Sequence, residues 1–593
     1  MEAEEIMHLE CLKLSVERRI KLLDDNYVEF KLNGSFLKNA GIMGLLRMLE
    51  CNESEAIIGT DYIIEDRTIK VSKDYILKKN LGYLYVKSLV QYYGQNTKFM
   101  NLYNKKGMVD SYMLKDEITD DEMKIIADSI NEMGDMLLKN SFVSGYEIID
   151  KYTDATTLNV NRIKEMKKEK DVSEKYKIYC EIYELLEQKE VQDILIIKDL
   201  MYTKLNMFYD SISFFQPSNL KSDIVECYNK EFVIPLRDEI ENTKEGKKRC
   251  IECRRTTNSV KAISFINQTD DVNRKKSHYW NQKADALACP YCSFLYSLVP
   301  LGFCFTGANA VFININTDVE RMKEMMNKYL LKDDGERVSE KSKIYRVFTS
   351  EAADMVEKGV ANIQVVVKMK EHSDYDIKVI SKDIVEGFRI AQTNAIGKNQ
   401  NRDTDKKGIL TMLEKINVKT DNGYINVYDM AMECILNRRS LYYVFDSMYM
   451  LALKNGSRVN YLKNVLDLQY IFRGGKNRMS DLKEMSDKAY NCGIYARTRL
   501  TDTKIADKDN ALRGVVYRLE NSLTIGDMNQ YLDAIIRIYS SKGMPIPGIF
   551  KEMMESEENF NAIGRGYILG LMYEKYDPSE KNEERKQEKK IYE

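Results

Sequence analysis

Residues 284–303 read ADALACPYCSFLYSLVPLGF, and the two cysteines inside this stretch, Cys289 and Cys292, decide how the middle of the chain folds. A Cys-x-x-Cys step is a redox pair, half of a metal site, or two unrelated buried thiols. A second step, Cys250-Ile-Glu-Cys253, lies just upstream. Two steps within 43 residues are more than scattered cysteines produce. The other seven cysteines, Cys11, Cys51, Cys180, Cys227, Cys304, Cys434 and Cys492, read as small buried hydrophobes. Each step places two thiolates on one side of a tight turn, and two such turns complete a tetrahedral four-sulfur zinc site. Cys250, Cys253, Cys289 and Cys292 are therefore the expected ligands of one structural zinc ion. The 35 residues between the steps exceed the ~15–20 of a simple zinc ribbon, so an insertion separates them.

The redox reading has one point in its favour, because CPYC is also the active-site tetrapeptide of glutaredoxins. That fold needs a cis-proline downstream, and after Pro300 the next proline is Pro545. It also leaves Cys250 and Cys253 unexplained. The insertion points elsewhere. From Lys244 to Lys283 there are 11 basic and 4 acidic residues, including Lys247, Lys248, Arg249, Arg254, Arg255, Arg274, Lys275 and Lys276. The chain's only tryptophan, Trp280, lies among them beside His278 and Tyr279. Basic charge with aromatic faces suits phosphate contact and base stacking. The plainer reading is a solvated loop anchored by its tryptophan.

Outward from this centre, 593 residues are too many for one core, and two to four domains are expected. The net charge of −2 hides 90 basic and 92 acidic side chains, so a nucleic-acid partner would be met by local patches. The longest uncharged run, 286–317, carries Pro290, Pro300, Gly302, Gly307 and three asparagines, which reads as buried core rather than a membrane span. The opening MEAEEIMHLE is no secretory signal, and eleven cysteines without one point to the reducing cytoplasm. Abundant Lys, Ile and Asn suggest an AT-rich bacterial genome.

Residues 33–49, NGSFLKNAGIMGLLRML, form an apolar helical pattern whose Gly41 and Gly44 predict close packing. Residues 56–72 read as a β-hairpin turning at 65–67, and 75–235 as mostly helical. Strands are expected at 309–317, 362–370 and 375–382, with a turn at His372–Asp374 and a polar loop at 397–408. From about 410 the chain reads as helical, with a bundle of about four helices over 479–576. There Asp527 caps a helix with Met528, Leu532, Ile535 and Tyr539 on one stripe, residues 543–548 break it, and Gly566 and Gly570 mark another close contact. The expected class is α+β, multidomain and mostly helical. The expected segments are an N-terminal mixed domain (1–240), a zinc-knuckle module with a basic insertion (241–305), a central α+β region (306–410) and a C-terminal helical domain (411–593).

No phosphate-binding glycine loop, H-E-x-x-H or G-x-S-x-G occurs, and the three histidines lie far apart. No catalytic constellation is visible, so a binding protein is expected rather than an enzyme. Lys454, Arg458, Lys463, Arg473, Lys476 and Arg478 face only Asp467 across 454–478, and Arg497, Arg499 and Arg513 extend this basic stripe.

Four stretches together resemble the CXXC–CXXC family of CRISPR-associated proteins, the large subunit of type I-B interference (Cascade) complexes. They are LKNAGIMGLLRML (37–49), the knuckles CIEC and CPYC with their aromatic-rich sequel, VFININTD after them, and LTIGDMNQYLDAIIRIYSSKGMPIPGIF (523–550) followed by NAIGRGYILGLM (561–572). The resemblance implies a non-catalytic subunit at the guide RNA 5′ end. It would read the protospacer-adjacent motif in duplex DNA, help open the duplex and help recruit a helicase–nuclease. Its partners would be the guide RNA, the target double-stranded DNA, and the backbone and small subunits, with no membrane. It also implies a separately made small subunit. In an AT-rich gene Arg473-Gly474-Gly475 would often be encoded with AGGAGG, a ribosome-binding sequence, shortly before the Met479 codon. A start there would yield the helical bundle alone; a Gly-Gly hinge is the simpler account of the same residues. The alternatives to the family are a zinc-containing cytosolic scaffold and a thiol-redox protein, neither with a nucleic-acid role.

Overall fold

The computed structural model describes residues 26–115, 117–152, 158–209, 223–242, 246–262, 287–306, 309–315, 317–330, 345, 363–369, 374–393, 408–420, 423–455, 459–473, 475–501 and 508–572. The chain is α+β and multidomain: helices dominate and the sheets are small and antiparallel. It divides into two compact units, Met1–Asp334 with Ile363–Ile377, and Gly335–Asn362 with Lys378–Glu593. The expected N-terminal domain and zinc module both fall in the first unit.

The first unit opens with β1 (Tyr27–Lys31) and α1 (Phe36–Glu50). The expected hairpin follows as β2 (Tyr62–Glu65) and β3 (Thr68–Ser72). Asp66 turns it at φ +44°, a region that aspartate tolerates better than most residues. Strand β1 joins the far edge of β3, with Phe30 opposite Ile69 and Val28 opposite Val71, all four buried. The sequence pattern before residue 33 does not single out this strand. Five residues of alternation are too short to stand out, and their partner lies 40 residues away.

Helices dominate the described residues of 73–242, among them α2 (Leu81–Tyr93), α3 (Asp120–Leu137) and α4 (Lys189–Thr203). Helix α3 starts where Thr119 and Glu122 exchange side-chain-to-backbone hydrogen bonds in a capping box. Short strands β4 (Lys248–Arg249), β5 (Thr256–Thr257), β6 (Lys261–Ala262) and β7 (Leu287–Ala288) frame the knuckles. The uncharged run then breaks into α5 (Pro290–Ser297), α6 (Val299–Gly302), β8 (Cys304–Thr306) and β9 (Asn309–Asn314). Among the described residues no helix is long and apolar enough to cross a membrane. Helix α7 (Val319–Leu330), β10 (Ile363–Lys368) and β11 (Tyr375–Ile380) complete a four-stranded sheet in the order β11-β10-β9-β8. The three expected strands are therefore present, and most of the turn at His372–Asp374 lies outside the described residues.

Helix α1 is buried almost all round, so it is a core helix. Its glycines let the backbone of α5 and α6 reach it. A Cβ on Gly41 would stand 2.4 Å from Leu295 O, and one on Gly44 2.1 Å from Leu298 O. From the other side, a Cβ on Gly302 would meet Ala40 O at 1.9 Å. Arg47, 3% exposed, then caps α6 by donating to Leu301 O (2.8 Å) and Phe303 O (2.9 Å). The Tyr93 hydroxyl of α2 donates its one proton to Phe303 O at 2.5 Å and lies 3.0 Å from Leu301 O.

The second unit contains α8 (Lys382–Thr393), the hairpin β12 (Asn417–Thr420) and β13 (Gly423–Asn426), then α9 (Val427–Leu436), α10 (Tyr442–Asn455) and α11 (Leu462–Arg473). The hairpin interrupts the helical run expected from 410. The polar loop expected at 397–408 falls almost wholly outside the described residues. The bundle is α12 (Gly475–Thr501), α13 (Lys508–Thr524), α14 (Met528–Ser541) and α15 (Glu557–Leu571). Asp527 caps α14 by accepting from Gln530 N at 2.9 Å. The buried face of α14 is centred on Tyr531, Ile535, Ile538 and Tyr539, while Met528 and Leu532 sit half-buried at its edge. Helix α15 lies against α12 at backbone distance: a Cβ on Gly566 would meet Ser486 O at 2.5 Å, and one on Gly570 Tyr490 O at 2.1 Å.

Candidate metal centre and basic hairpin

The first knuckle caps a two-stranded hairpin in which Lys248 pairs with Thr257 and Arg249 with Thr256. Cys250 N donates to Arg255 O and Arg254 N to Cys250 O, both at 3.0 Å, closing a tight turn over Ile251–Cys253. The second knuckle sits where β7 runs into α5. Cys289 is the residue before the helix, Pro290 occupies the first turn, where its missing N–H costs nothing, and Cys292 follows within it. Two backbone contacts lock the knuckles together. Ile251 N donates to Leu287 O (3.0 Å), and Cys289 N points at Cys250 Sγ (3.3 Å). The insertion pairs back on itself through β6 and β7, Lys261 opposite Ala288.

The four sulfurs of Cys250, Cys253, Cys289 and Cys292 all lie within 4.8 Å of one another. A tetrahedron with metal–sulfur bonds of ~2.3 Å has sulfur–sulfur edges of ~3.8 Å, so the four thiols fit one ion with little movement. Cys250, Cys289 and Cys292 are buried and Cys253 is half-buried. Hydrogen bonds from Cys253, Cys289 and Cys292 lower the Cys250 thiol. Cys253, although its bond to Cys250 opposes this, is brought to about 7 by Cys289 and Cys292. Bonds to Cys250 and Cys253 raise Cys289 and Cys292, which keep their protons as donors. Such a cluster ionises completely only with a cation at its centre. The N-terminus of α5 adds positive potential beside Cys289 and Cys292.

Around the metal centre the first hairpin is basic. Lys247, Lys248, Arg249, Arg254 and Arg255 are all exposed. The Arg255 guanidinium lies 4.7 Å from the centre of the Tyr291 ring, so the tyrosine of CPYC supports a cation from the other knuckle. Glu252, the only carboxylate in 246–257, is half-buried. The contact of Arg255 with Tyr291 was not legible in the sequence, because it crosses from one knuckle to the other. Arg274, Lys275, Lys276 and Trp280 lie outside the described residues.

Residues 243–304 match the model of the family described as CRISPR-associated protein (Cas_CXXC_CXXC). No curated protein and no solved structure matches the chain. The Cas_CXXC_CXXC match covers both knuckles, the insertion, α5 and α6, and ends at Cys304, the thiol 3.3 Å from the Arg47 guanidinium. The matched segment is thus the four-cysteine cluster together with the helices that seat it on α1. This supports a CRISPR-associated role and a metal-binding cysteine cluster.

In the second unit the expected basic stripe divides. Lys463 pairs with Asp487 at 2.8 Å and lies over the Tyr490 ring, so it joins α11 to α12. Arg478 pairs with Glu558, and Arg497 donates to Leu571 O (2.8 Å) at the end of α15. Lys454, Arg473, Arg499 and Arg513 are exposed, and Lys476 belongs to α12. Arg458 lies outside the described residues. Asp467, the stripe's one local acid, is buried and paired with Lys483 at 3.2 Å. Counting acids within a sequence window missed Asp487 and Glu558, which belong to neighbouring helices.

Proposed function

We propose that this chain is the large subunit of a type I-B CRISPR RNA-guided surveillance complex. The observation that carries the reading is the family match over 243–304, within which four sulfurs gather beneath an exposed basic hairpin. In this reading Cys250, Cys253, Cys289 and Cys292 hold zinc. When bound, the ion supplies rigidity: four thiolates leave no open coordination position for chemistry. The chain's own residues do the binding. Lys247, Lys248, Arg249, Arg254 and Arg255, with the exposed cations of the second unit, hold polynucleotide backbones. Exchange of DNA duplex for guide–target heteroduplex is nearly balanced, so such contacts tip it. The subunit reads the protospacer-adjacent motif, holds the guide RNA 5′ end and target DNA, and helps recruit the helicase–nuclease without catalysing a reaction itself.

The same gene makes a small subunit from Met479 in this reading. The helix containing Met479 begins at Gly475, so a start there omits only about its first turn. The backbone-close contact between α12 and α15 lies wholly within the shorter product, which supports its folding as a unit. The test is a tagged pull-down from the native host at low salt, with the RNA sequenced and the proteins identified. Short repeat-derived RNAs and a fragment beginning at Met479 are expected. Recovery of the chain without RNA or CRISPR-associated partners would overturn the reading. Loss of the fragment on synonymous recoding of Arg473–Gly475 would establish the internal start.

A further inference from the structure

The turn of the first knuckle holds an arginine where a glycine would sit without strain. Arg254 has φ +60°, in the left-handed region, where a Cβ is crowded by the backbone. Strain of this kind persists where a side chain is needed and the surroundings over-determine the backbone. Here the turn is pinned by the Arg254 N to Cys250 O bond, by the Ile251 N to Leu287 O bond and by the sulfur cluster. The Arg254 side chain is exposed, and no side chain among the described residues pairs with its guanidinium. Beside it Ile251 is 54% exposed although its backbone is held. Glu252, the only carboxylate in 246–257, is half-buried, whereas Lys247, Lys248, Arg249, Arg254 and Arg255 are exposed. The tip therefore presents one apolar side chain among five cations on a rigid base.

We propose that the tip Ile251–Arg254 is a finger that docks on a polynucleotide, Arg254 on a phosphate and Ile251 against a base or sugar face. This rests on the reading of the chain as a nucleic-acid-binding subunit and names the residues that make first contact. The occupant follows from charge complementarity: five exposed cations against one half-buried carboxylate match a polyanion. Apolar residues flanked by cations are the side chains that lodge against base steps. Because the turn is held before binding, docking costs little ordering entropy.

The test uses the complete guide-loaded complex, probed with a duplex DNA and a single-stranded RNA of matched sequence. Metal content and melting temperature are read in parallel. Arg254→Gly is expected to keep the metal and to melt at the same or a higher temperature. It should nevertheless bind the occupant about tenfold more weakly, with a salt slope shallower by about 0.9. Arg254→Lys restores the slope. Ile251→Ser weakens binding with the slope unchanged. Weakening confined to the DNA or to the RNA identifies which polynucleotide the finger meets. A purely structural arginine would lower the melting temperature and leave affinity alone, which overturns the finger. If the unaltered complex binds neither probe, the proposed function itself falls. If it binds and both variants bind equally, only the finger does.

Discussion

Cys289 is both a sulfur of the cluster and the residue that opens α5. Its loss therefore removes a ligand and loosens the helix packed on α1. Cys289→Ser is expected to lose metal and soluble protein together, read by metal analysis of the soluble fraction. A folded variant that lacked only a reductase activity would instead favour the redox reading. Lys198 makes a second prediction at this scale. It is fully buried on α4, and burial lowers its ammonium to about 8. Between that value and the ordinary ~10.4 the unfolded chain holds a proton that the folded chain has released, so stability rises with pH there. Below about 8 both states are protonated and Lys198 adds no pH dependence. Lys198→Met should raise the melting temperature at neutral pH and flatten the alkaline rise in a series of melts. An unchanged slope would show that the lysine is protonated throughout.

Between elements, the closest contacts are made by glycines facing carbonyl oxygens. Adding a methyl group at Gly44 would push α1 off α6, because the obstacle is backbone that cannot rotate away. Gly44→Ala is expected to cost about 1–3 kcal/mol, measured by denaturant unfolding of the full chain. The bundle shows a different dependence. Arg565 on α15 is 4% exposed, pairs with Asp446 of α10 through two bonds of 2.8 and 2.7 Å, and lies 4.2 Å from the Tyr442 ring centre. Asp446→Ala should cost about 3 kcal/mol by stranding this cation. The proposed product beginning at Met479 would lack α10 altogether and so would expose Arg565. It should melt below the same bundle in the full chain. Equal melting would mean that α10 contributes nothing to the bundle.

Across the whole molecule, a net charge of −2 gives no long-range attraction for nucleic acid. In the proposed function, affinity comes from patches such as the knuckle hairpin, and it should fall steeply with salt. Charge reversal at Lys247 and Lys248 is expected to weaken DNA binding by the assembled complex and to flatten its salt dependence. An unchanged slope in a salt titration would move the interface away from the hairpin. The division into two units also places the metal centre in a different compact body from the bundle. Loss of metal should accordingly unfold the first unit before it affects α12–α15, a separation that limited proteolysis with a chelator would reveal.

The cysteine steps, the hairpin at 56–72, the Asp527 cap and the glycines of α1 and α15 were all legible in the sequence, because each depends on residues within a turn or two. A four-sulfur site also follows from spacing, since two knuckles of matching chemistry have one common use. The tertiary structure alone decided the rest. It added β1 to the edge of β3, and it set Arg47 on the carbonyls that end α6, 254 residues away. It placed Tyr291 under Arg255, and it paired Lys463 and Arg478 with acids of neighbouring helices. Each of these depends on a partner that chain folding brings in from a distance, and composition in a window carries no record of that partner.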